Sequence, residues 1–117
     1  MIVRGALSSK ARSELEIALQ WQLDVAGLGA RYQCEVEFAK PERKWRVDFW
    51  FPEGLAVECE GGTWAMGRHN RGTGFEQDCE KYAAIAIKGF RLIRVTKGQI
   101  ESGQALKWIE AALKPRS

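Results

Sequence analysis

The sequence is poor in cysteine and histidine, the residues that would stabilise a small domain through disulfides or a zinc site. It has three cysteines, in no C-x-x-C arrangement, and a single histidine. An odd cysteine count without paired spacing argues against a disulfide framework, and the lack of such a pair argues against a structural zinc site. No apolar run approaches the roughly 20 residues that span a membrane, and the N-terminus lacks the apolar block of a secretion signal. We therefore expect a cytoplasmic protein that does not enter a membrane.

The composition that is present suits one compact domain. The chain has 117 residues, of which 45% are hydrophobic and 28% charged, a balance that is ordinary for globular proteins. A chain of this size can bury a core without disulfide support. We expect a single domain over residues 1–117.

Hydrophobic periodicity and turn residues predict an α/β fold. A tight turn at 52–54 makes the second and third strands antiparallel partners. Ser8 or Ser9 is the expected N-cap of the first helix, and Gly89 is expected to cap the second. The order of elements predicts a mixed four-stranded sheet flanked by helices. The predicted helices are 8–27, 75–88 and 104–113, the strands are 31–39, 45–51, 55–60 and 90–95, and 61–74 is a glycine-rich functional loop.

The same periodicities predict which side chains share a face. One face of the first strand should carry residues 32, 34, 36 and 38. One face of the second strand should carry residues 45, 47, 49 and 51, with residues 46, 48 and 50 opposite. The apolar side of the second helix is expected to hold Phe75, Cys79, Tyr82, Ala83 and Ala86.

Three acidic residues on the paired strands form the main candidate site. Glu58 and Glu60 share a face of the third strand, and Asp48 can join them from the second. Carboxylates gathered in this way repel one another unless a cation lies among them, and oxygen ligands suit Mg²⁺ or Mn²⁺. Basic residues at 43–46 and 68–71 flank the acids, which suits a phosphate-bearing substrate. The alternative is a solvated strand face, against which the apolar stretch around the acids argues.

Two helices offer further candidates. Glu14 and Glu16 begin the first helix, where either can reach the acidic patch or simply interact with the helix dipole. Asp78 and Lys81 share a face of the second helix. Lys81 can orient water or stabilise developing charge, or it can form an ordinary exposed ion pair.

The glycine-rich loop carries the remaining candidates. His69 lies between Arg68 and Arg71, so it is a candidate phosphate contact or general acid, although a lone histidine is more often a plain loop residue. Trp64 can stack on a base.

These residues resemble the PD-(D/E)xK nuclease superfamily over nearly the whole chain. The anchor is Asp48, followed ten residues later by Glu58-Cys59-Glu60 after the apolar stretch 55–57. In phage resolving endonucleases, which resemble Holliday-junction resolvases, a Ser-x-Leu-Glu start of the first helix supplies an acid. Ser13-Glu14-Leu15-Glu16 matches it and favours Glu16. In very-short-patch-repair-like and small phage or prophage nucleases, a Gly, Arg and His loop leads into an Asp-x-x-Lys-Tyr helix, and 67–69 and 78–82 resemble that pattern.

The resemblance implies a restriction-endonuclease-like core and Mg²⁺-dependent hydrolysis of DNA phosphodiester bonds. Asp48 and Glu58 would hold the metal, with help from the Cys59 carbonyl and from Glu16, directly or through water. The superfamily places a lysine at position 60, where this chain has Glu60. Either Glu60 is a further ligand, or the positive role has moved to Lys81, or activity is lost, and we favour the second reading. The DNA contacts would come from Lys44, Arg46, Trp64, Arg68 and Arg71.

Two functions of different classes follow. The first is an endodeoxyribonuclease of phage or prophage type, structure-specific or nicking, which acts in the host cytoplasm if it is phage-encoded. It would be a homodimer if it makes paired cuts, and a monomer is sufficient for a nick. The second is a catalytically inactive nuclease fold that serves as a DNA-binding or protein-interaction module. An RNA-directed enzyme or a toxin is a third class, for which the sequence offers no aromatic RNA-binding motif.

Overall fold

The computed structural model describes residues 13–60 and 73–115, with the backbone alone for Thr73. The predicted order of elements is confirmed, with one short helix added. The elements are α1 (Glu14–Val25), β1 (Gln33–Val36), β2 (Val47–Phe51), β3 (Leu55–Glu60), α2 (Thr73–Ile87), β4 (Arg91–Thr96), α3 (Lys97–Glu101) and α4 (Gln104–Leu113).

The four strands form one mixed sheet in the order β1-β2-β3-β4. The β1–β2 and β2–β3 pairs are antiparallel, and β4 runs parallel to β3. A parallel neighbour requires a crossover connection, and α2 lies in the connection between β3 and β4. The predicted α/β fold with a mixed four-stranded sheet flanked by helices is confirmed. Within the described ranges, no helix has the length and apolar character needed to cross a membrane.

Two hydrophobic clusters lie on opposite faces of the sheet. Successive side chains of β3 point to opposite clusters, since Leu55 and Val57 belong to one cluster and Ala56 to the other. The first cluster, named here the α1 cluster, also contains buried side chains of α1, α3 and α4. The second, named here the α2 cluster, contains Ile85 of α2 and Val47 of β2.

The start of α1 differs from the prediction. Ser13 has an extended backbone with ψ of 155°, and its hydroxyl accepts a hydrogen bond from the Glu16 N–H at 3.1 Å. A helix through residues 8–27 is therefore wrong, because the chain turns into the helix at Ser13. Ser8 and Ser9 lie outside the described residues. The cap fixes the orientation of the first turn, which carries Glu16.

The predicted apolar side of α2 is also wrong. Phe75 is 58% exposed, and Cys79, Ala83 and Ala86 are exposed as well. The buried side chain is Ile85, which is 1% exposed, with Tyr82 packed against the same cluster. Alanines have little apolar area to bury, so a stripe built on two of them gives little free energy compared with one isoleucine. The helix also begins earlier than predicted, because Thr73 and Gly74 belong to it rather than to the loop.

The sheet changes face at one position in β1 and β2. Cys34 pairs with Phe49, and both lie in the α1 cluster, whereas Val36 pairs with Val47, and both pack in the α2 cluster. The predictions that the odd-numbered side chains of 45–51 share one face, and that the even-numbered side chains of 32–38 do, are therefore wrong. Glu35, between the two pairs, has a left-handed backbone with φ of +50°. This unusual conformation lies at the residue of β1 where the side chains change face.

Candidate active site

The candidate site lies where the strands change face, and Asp48 is at its centre. The register of β1 and β2 places Asp48 opposite Glu35. The pairing of β2 with β3 runs from Phe51 and Leu55 to Phe49 and Val57. Beyond this point Asp48 Oδ2 accepts a hydrogen bond from the Cys59 N–H at 2.7 Å. A side chain thus takes the place of a backbone acceptor in the ladder. This bond holds the Asp48 carboxyl between β2 and β3.

The surroundings of Asp48 favour its neutral form. Burial, a hydrogen bond with the Glu16 carboxyl and the nearby charges of Glu16 and Glu58 raise the pKa of Asp48 to about 8, while the Cys59 N–H opposes the shift. Two carboxyl groups that hydrogen-bond each other must share a proton or another cation. The structure brings Glu16, from α1, into contact with Asp48 on β2, which is where the resemblance placed it.

Glu58 is the one buried charged residue among those the structure describes, at 7% exposed. Its carboxylate receives two donors from α2. The Lys81 ammonium contacts Oε2, and the Tyr82 hydroxyl donates to Oε1 at 3.2 Å. Burying a carboxylate without such partners would be costly, so α2 supplies the charge compensation that β3 requires.

Asp48, Glu58 and Lys81 line one cleft of about 410 Å³. The charged side chains of its lining are two cations, Arg46 and Lys81, and the three carboxylates of Asp48, Glu58 and Asp78. Arg46 also forms an ion pair with Glu35 at 3.6 Å. The lining residues are Trp45, Arg46, Asp48, Glu58, Cys59, Gln77, Asp78 and Lys81.

Glu60 lies beside this cleft and has a different partner. It shares a face of β3 with Glu58, but its carboxylate forms an ion pair with Arg94 of β4 at 2.7 Å. The Arg94 guanidinium in turn lies 4.8 Å from the centre of the Tyr82 ring. Tyr82 thus contacts both the Glu58 carboxylate and the Arg94 guanidinium that pairs with Glu60.

The remaining predicted site residues fall into two groups. Lys44 is exposed and does not line the cleft. Trp64, Arg68, His69 and Arg71 lie outside the described residues, so their predicted roles stay predictions.

The carboxylates fit a hard divalent cation by their chemistry, although they are not assembled as a ready ligand cluster. No three His, Cys, Asp or Glu side chains within residues 13–60 and 73–115 stand together in that way. Asp48 and Glu16 are in contact, and Glu58 is turned towards Lys81 and Tyr82. Carboxylate oxygens are the ligands that Mg²⁺ and Mn²⁺ prefer. A divalent cation would replace the proton shared by Asp48 and Glu16.

Sequence reasoning missed two side chains at the site. Tyr82 was assigned to an apolar face, whereas its hydroxyl binds Glu58. Its position next to Lys81 was the available signal, since a buried tyrosine hydroxyl usually finds a polar partner. Trp45 was placed on one strand face with residues 47, 49 and 51 and given no role, whereas it lines the cleft, and its basic neighbours in 43–46 were the corresponding signal.

Comparison of this chain with protein-family models, with curated proteins and with solved structures finds no match.

Proposed function

We propose that the protein is a metal-dependent endodeoxyribonuclease with a restriction-endonuclease-like core. The observation that carries the proposal is the convergence of side chains from three elements on one cleft, with a fourth acid in contact with them. Asp48 of β2, Glu58 of β3 and Lys81 of α2 line the cleft, and Glu16 of α1 hydrogen-bonds Asp48. Carboxylates beside a half-buried lysine suit the hydrolysis of a phosphodiester.

In this proposal Asp48, Glu16 and Glu58 hold Mg²⁺ or Mn²⁺. When bound, the metal neutralises charge on the scissile phosphate and lowers the pKa of a coordinated water. The Cys59 N–H keeps the Asp48 carboxyl in place. Tyr82 restricts the Glu58 carboxylate, because its hydroxyl occupies one of the two oxygens.

Lys81 takes the positive role that the superfamily gives to a lysine on the third strand. Its ammonium lies in the cleft against Glu58, where it can place a donor close to the attacked phosphate. Arg46, which also lines the cleft, is suited to bind a phosphate oxygen, because a guanidinium presents two parallel donors.

The test is cleavage of linear, nicked, branched and single-stranded DNA with Mg²⁺ or Mn²⁺. We expect cleavage by the unaltered protein and none by Asp48→Asn, which keeps the oxygen that accepts the Cys59 N–H. Glu110→Gln is the matched control, because Glu110 is an exposed acid on α4. Nicked products would indicate a monomeric enzyme, and paired cuts a homodimer. No cleavage of any substrate, or equal cleavage by Asp48→Asn, would overturn the proposal.

One observation favours a second function, an inactive fold that only binds DNA. Lys81 and Tyr82 already occupy both oxygens of Glu58, and Glu60 stands where the superfamily has a lysine. This alternative predicts salt-sensitive DNA binding that is indifferent to Mg²⁺ and to Asp48→Asn. A measurement of DNA affinity with and without Mg²⁺ separates the two functions.

A further inference from the structure

A row of stacked aromatic rings leads from the sheet to the edge of the candidate site. Phe90 stacks on Trp50 with ring centres 3.9 Å apart, Trp50 stacks on Phe38 at 5.6 Å, and Phe38 stacks on Trp45 at 6.4 Å. The planes of neighbouring rings differ by 14° to 29°. The row ends at Trp45, where the Arg43 guanidinium lies 5.4 Å from the ring centre. The Trp45 ring at the outer end of the row thus carries the planar guanidinium of Arg43, which a stacking base would have to displace.

This outer end opens into a cavity of about 690 Å³ that is distinct from the cleft at Asp48. Its walls are largely apolar, with Phe38 and Trp45 on one side and Ala84 and Ile87 of α2 on the other. The volume lies within the range of about 300–1,000 Å³ that is usual for small-molecule sites. Ile87 is 85% exposed, so its side chain gains no burial from the fold itself.

Charged side chains at the rim of the cavity suit the two parts of a nucleotide. Arg43 and Lys88 offer positive charge for a phosphate, and Glu42 and Glu80 offer acceptors for the amino groups of a base. An aromatic wall with polar groups at its rim is the arrangement that holds single nucleobases by stacking.

The cavity and the candidate active site share a wall, because Trp45 lines both. Arg46, the next residue, lines the cleft at Asp48. A DNA strand whose phosphate lies in that cleft would therefore bring a neighbouring nucleotide to the cavity, provided that its base is not held in a duplex.

We propose that this cavity, named here the Trp45 pocket, binds an unpaired nucleobase of the substrate next to the cleaved phosphate. The inference rests on the proposed function and narrows it to DNA that contains an unpaired nucleotide. Stacking on Trp45 selects such DNA, because a paired base cannot leave its helix without loss of pairing and stacking.

The test compares the affinity of the Asp48→Asn protein for two DNA duplexes that differ by one bulged nucleotide. The bulged nucleotide is 2-aminopurine, whose fluorescence falls when it stacks. We expect the bulged duplex to bind about tenfold more tightly, the effect of one stacked base, with quenching of the probe. Trp45→Ala should reduce the preference to within about twofold, and Trp45→Phe should keep most of it.

Two further variants test whether a loss of preference in Trp45→Ala comes from misfolding or from the removal of any tryptophan. Ala84→Leu fills the Trp45 pocket from the α2 side and leaves every aromatic ring in place, so it should also abolish the preference and the quenching. Trp21→Ala removes a tryptophan that is 67% exposed on α1, and it should change neither.

The outcomes distinguish this inference from the function on which it rests. Equal affinity of the unaltered pocket for the two duplexes overturns the inference and leaves the nuclease proposal standing. A preference that survives both Trp45→Ala and Ala84→Leu also overturns it. Absence of binding to either duplex overturns the inference and the proposed function together.

Discussion

The Lys81 ammonium lies against the Glu58 carboxylate where the two side chains are only 16% and 9% exposed. Lys81 comes from α2 and Glu58 from β3, so this pair joins the helix to the sheet at the candidate site. A charge pair with so little contact with water is screened weakly, and neither partner can lose the other without leaving a buried charge uncompensated.

Loss of Lys81 should therefore destabilise the fold more than loss of both partners. We expect Lys81→Met to lower the free energy of unfolding by about 3 kcal/mol, because Glu58 remains buried without its cation. The double variant Lys81→Met with Glu58→Gln should recover most of that loss. Urea unfolding of the two single variants and the double variant measures the coupling. Lys107→Met, at an exposed position on α4, is the control, and additive losses would contradict the expectation.

Substitutions of Lys81 and of Glu60, which stands where the superfamily has a lysine, should differ in their effect on cleavage. If Lys81 carries the positive role, Lys81→Met should reduce the cleavage rate by a factor of about 10² or more. Glu60→Gln should leave the rate within about threefold, since Glu60 pairs with Arg94 outside the cleft. Cleavage rates measured under single-turnover conditions show which of the two residues contributes to catalysis. A large loss with Glu60→Gln and a small one with Lys81→Met would reverse the assignment.

The stability of the metal-free protein should fall as the pH rises. Aspartate in an unfolded chain titrates near pH 3.9, whereas the pKa of Asp48 in the folded chain is raised to about 8. Between these values the folded state binds one proton more than the unfolded state, so stability declines by up to about 1.4 kcal/mol per pH unit. Urea unfolding in EDTA at pH 5 and pH 8 measures the decline.

Asp48→Asn provides the control for this pH dependence. The amide cannot ionise and retains an oxygen for the Cys59 N–H, so the variant should show a shallower decline and exceed the unaltered protein in stability at pH 8. Mg²⁺ should restore stability at pH 8 to the unaltered protein only. Parallel pH profiles for the two proteins would show that Asp48 is not the titrating group.

The backbone of Glu35 leads to a further prediction. A left-handed conformation costs a residue with a Cβ about 1–2 kcal/mol, and asparagine tolerates it better than β-branched residues do. Glu35→Asn should therefore keep both stability and cleavage. Glu35→Val should lose about 2 kcal/mol or more and should impair cleavage, because the opposing Asp48 would shift. Thermal unfolding with the DNA cleavage assay tests the pair, and equal behaviour of the two variants would count against this role of Glu35.

The sequence predicted the elements well where local signals decide them. The bounds of β3 and α4 agree with the prediction, because a turn and a helical stripe with a strong apolar period mark them. The short helix α3 was not predicted, although Thr96 and Gln99 form a capping box that is typical of a helix start. Five residues are too few for a periodic pattern of apolar side chains, so the capping box is the main local signal.

Side-chain faces were predicted less well, because tertiary contacts determine them. Nothing in the alternation around Glu35 signals a positive φ, since glutamate seldom adopts one. The phase of α2 depends on the contacts of Lys81 and Tyr82 with Glu58, which lie more than 20 residues away in sequence. Asp48 and Glu58 were grouped from their places on paired strands, whereas Glu16 and Lys81 were added to the group through the resemblance to the nuclease superfamily.

The change of face at Glu35 and Asp48 has a mechanical consequence. Glu16 arrives with the helix packed on one hydrophobic cluster, and Lys81 arrives with the helix packed on the other, while Asp48 occupies the crossing between them. The distances in the cleft thus depend on how two separately packed layers are aligned. A small shift of either layer would widen the distance between Glu16 and Lys81 while every strand stayed paired. The geometry of the site therefore depends more strongly on the alignment of the layers than the secondary structure does.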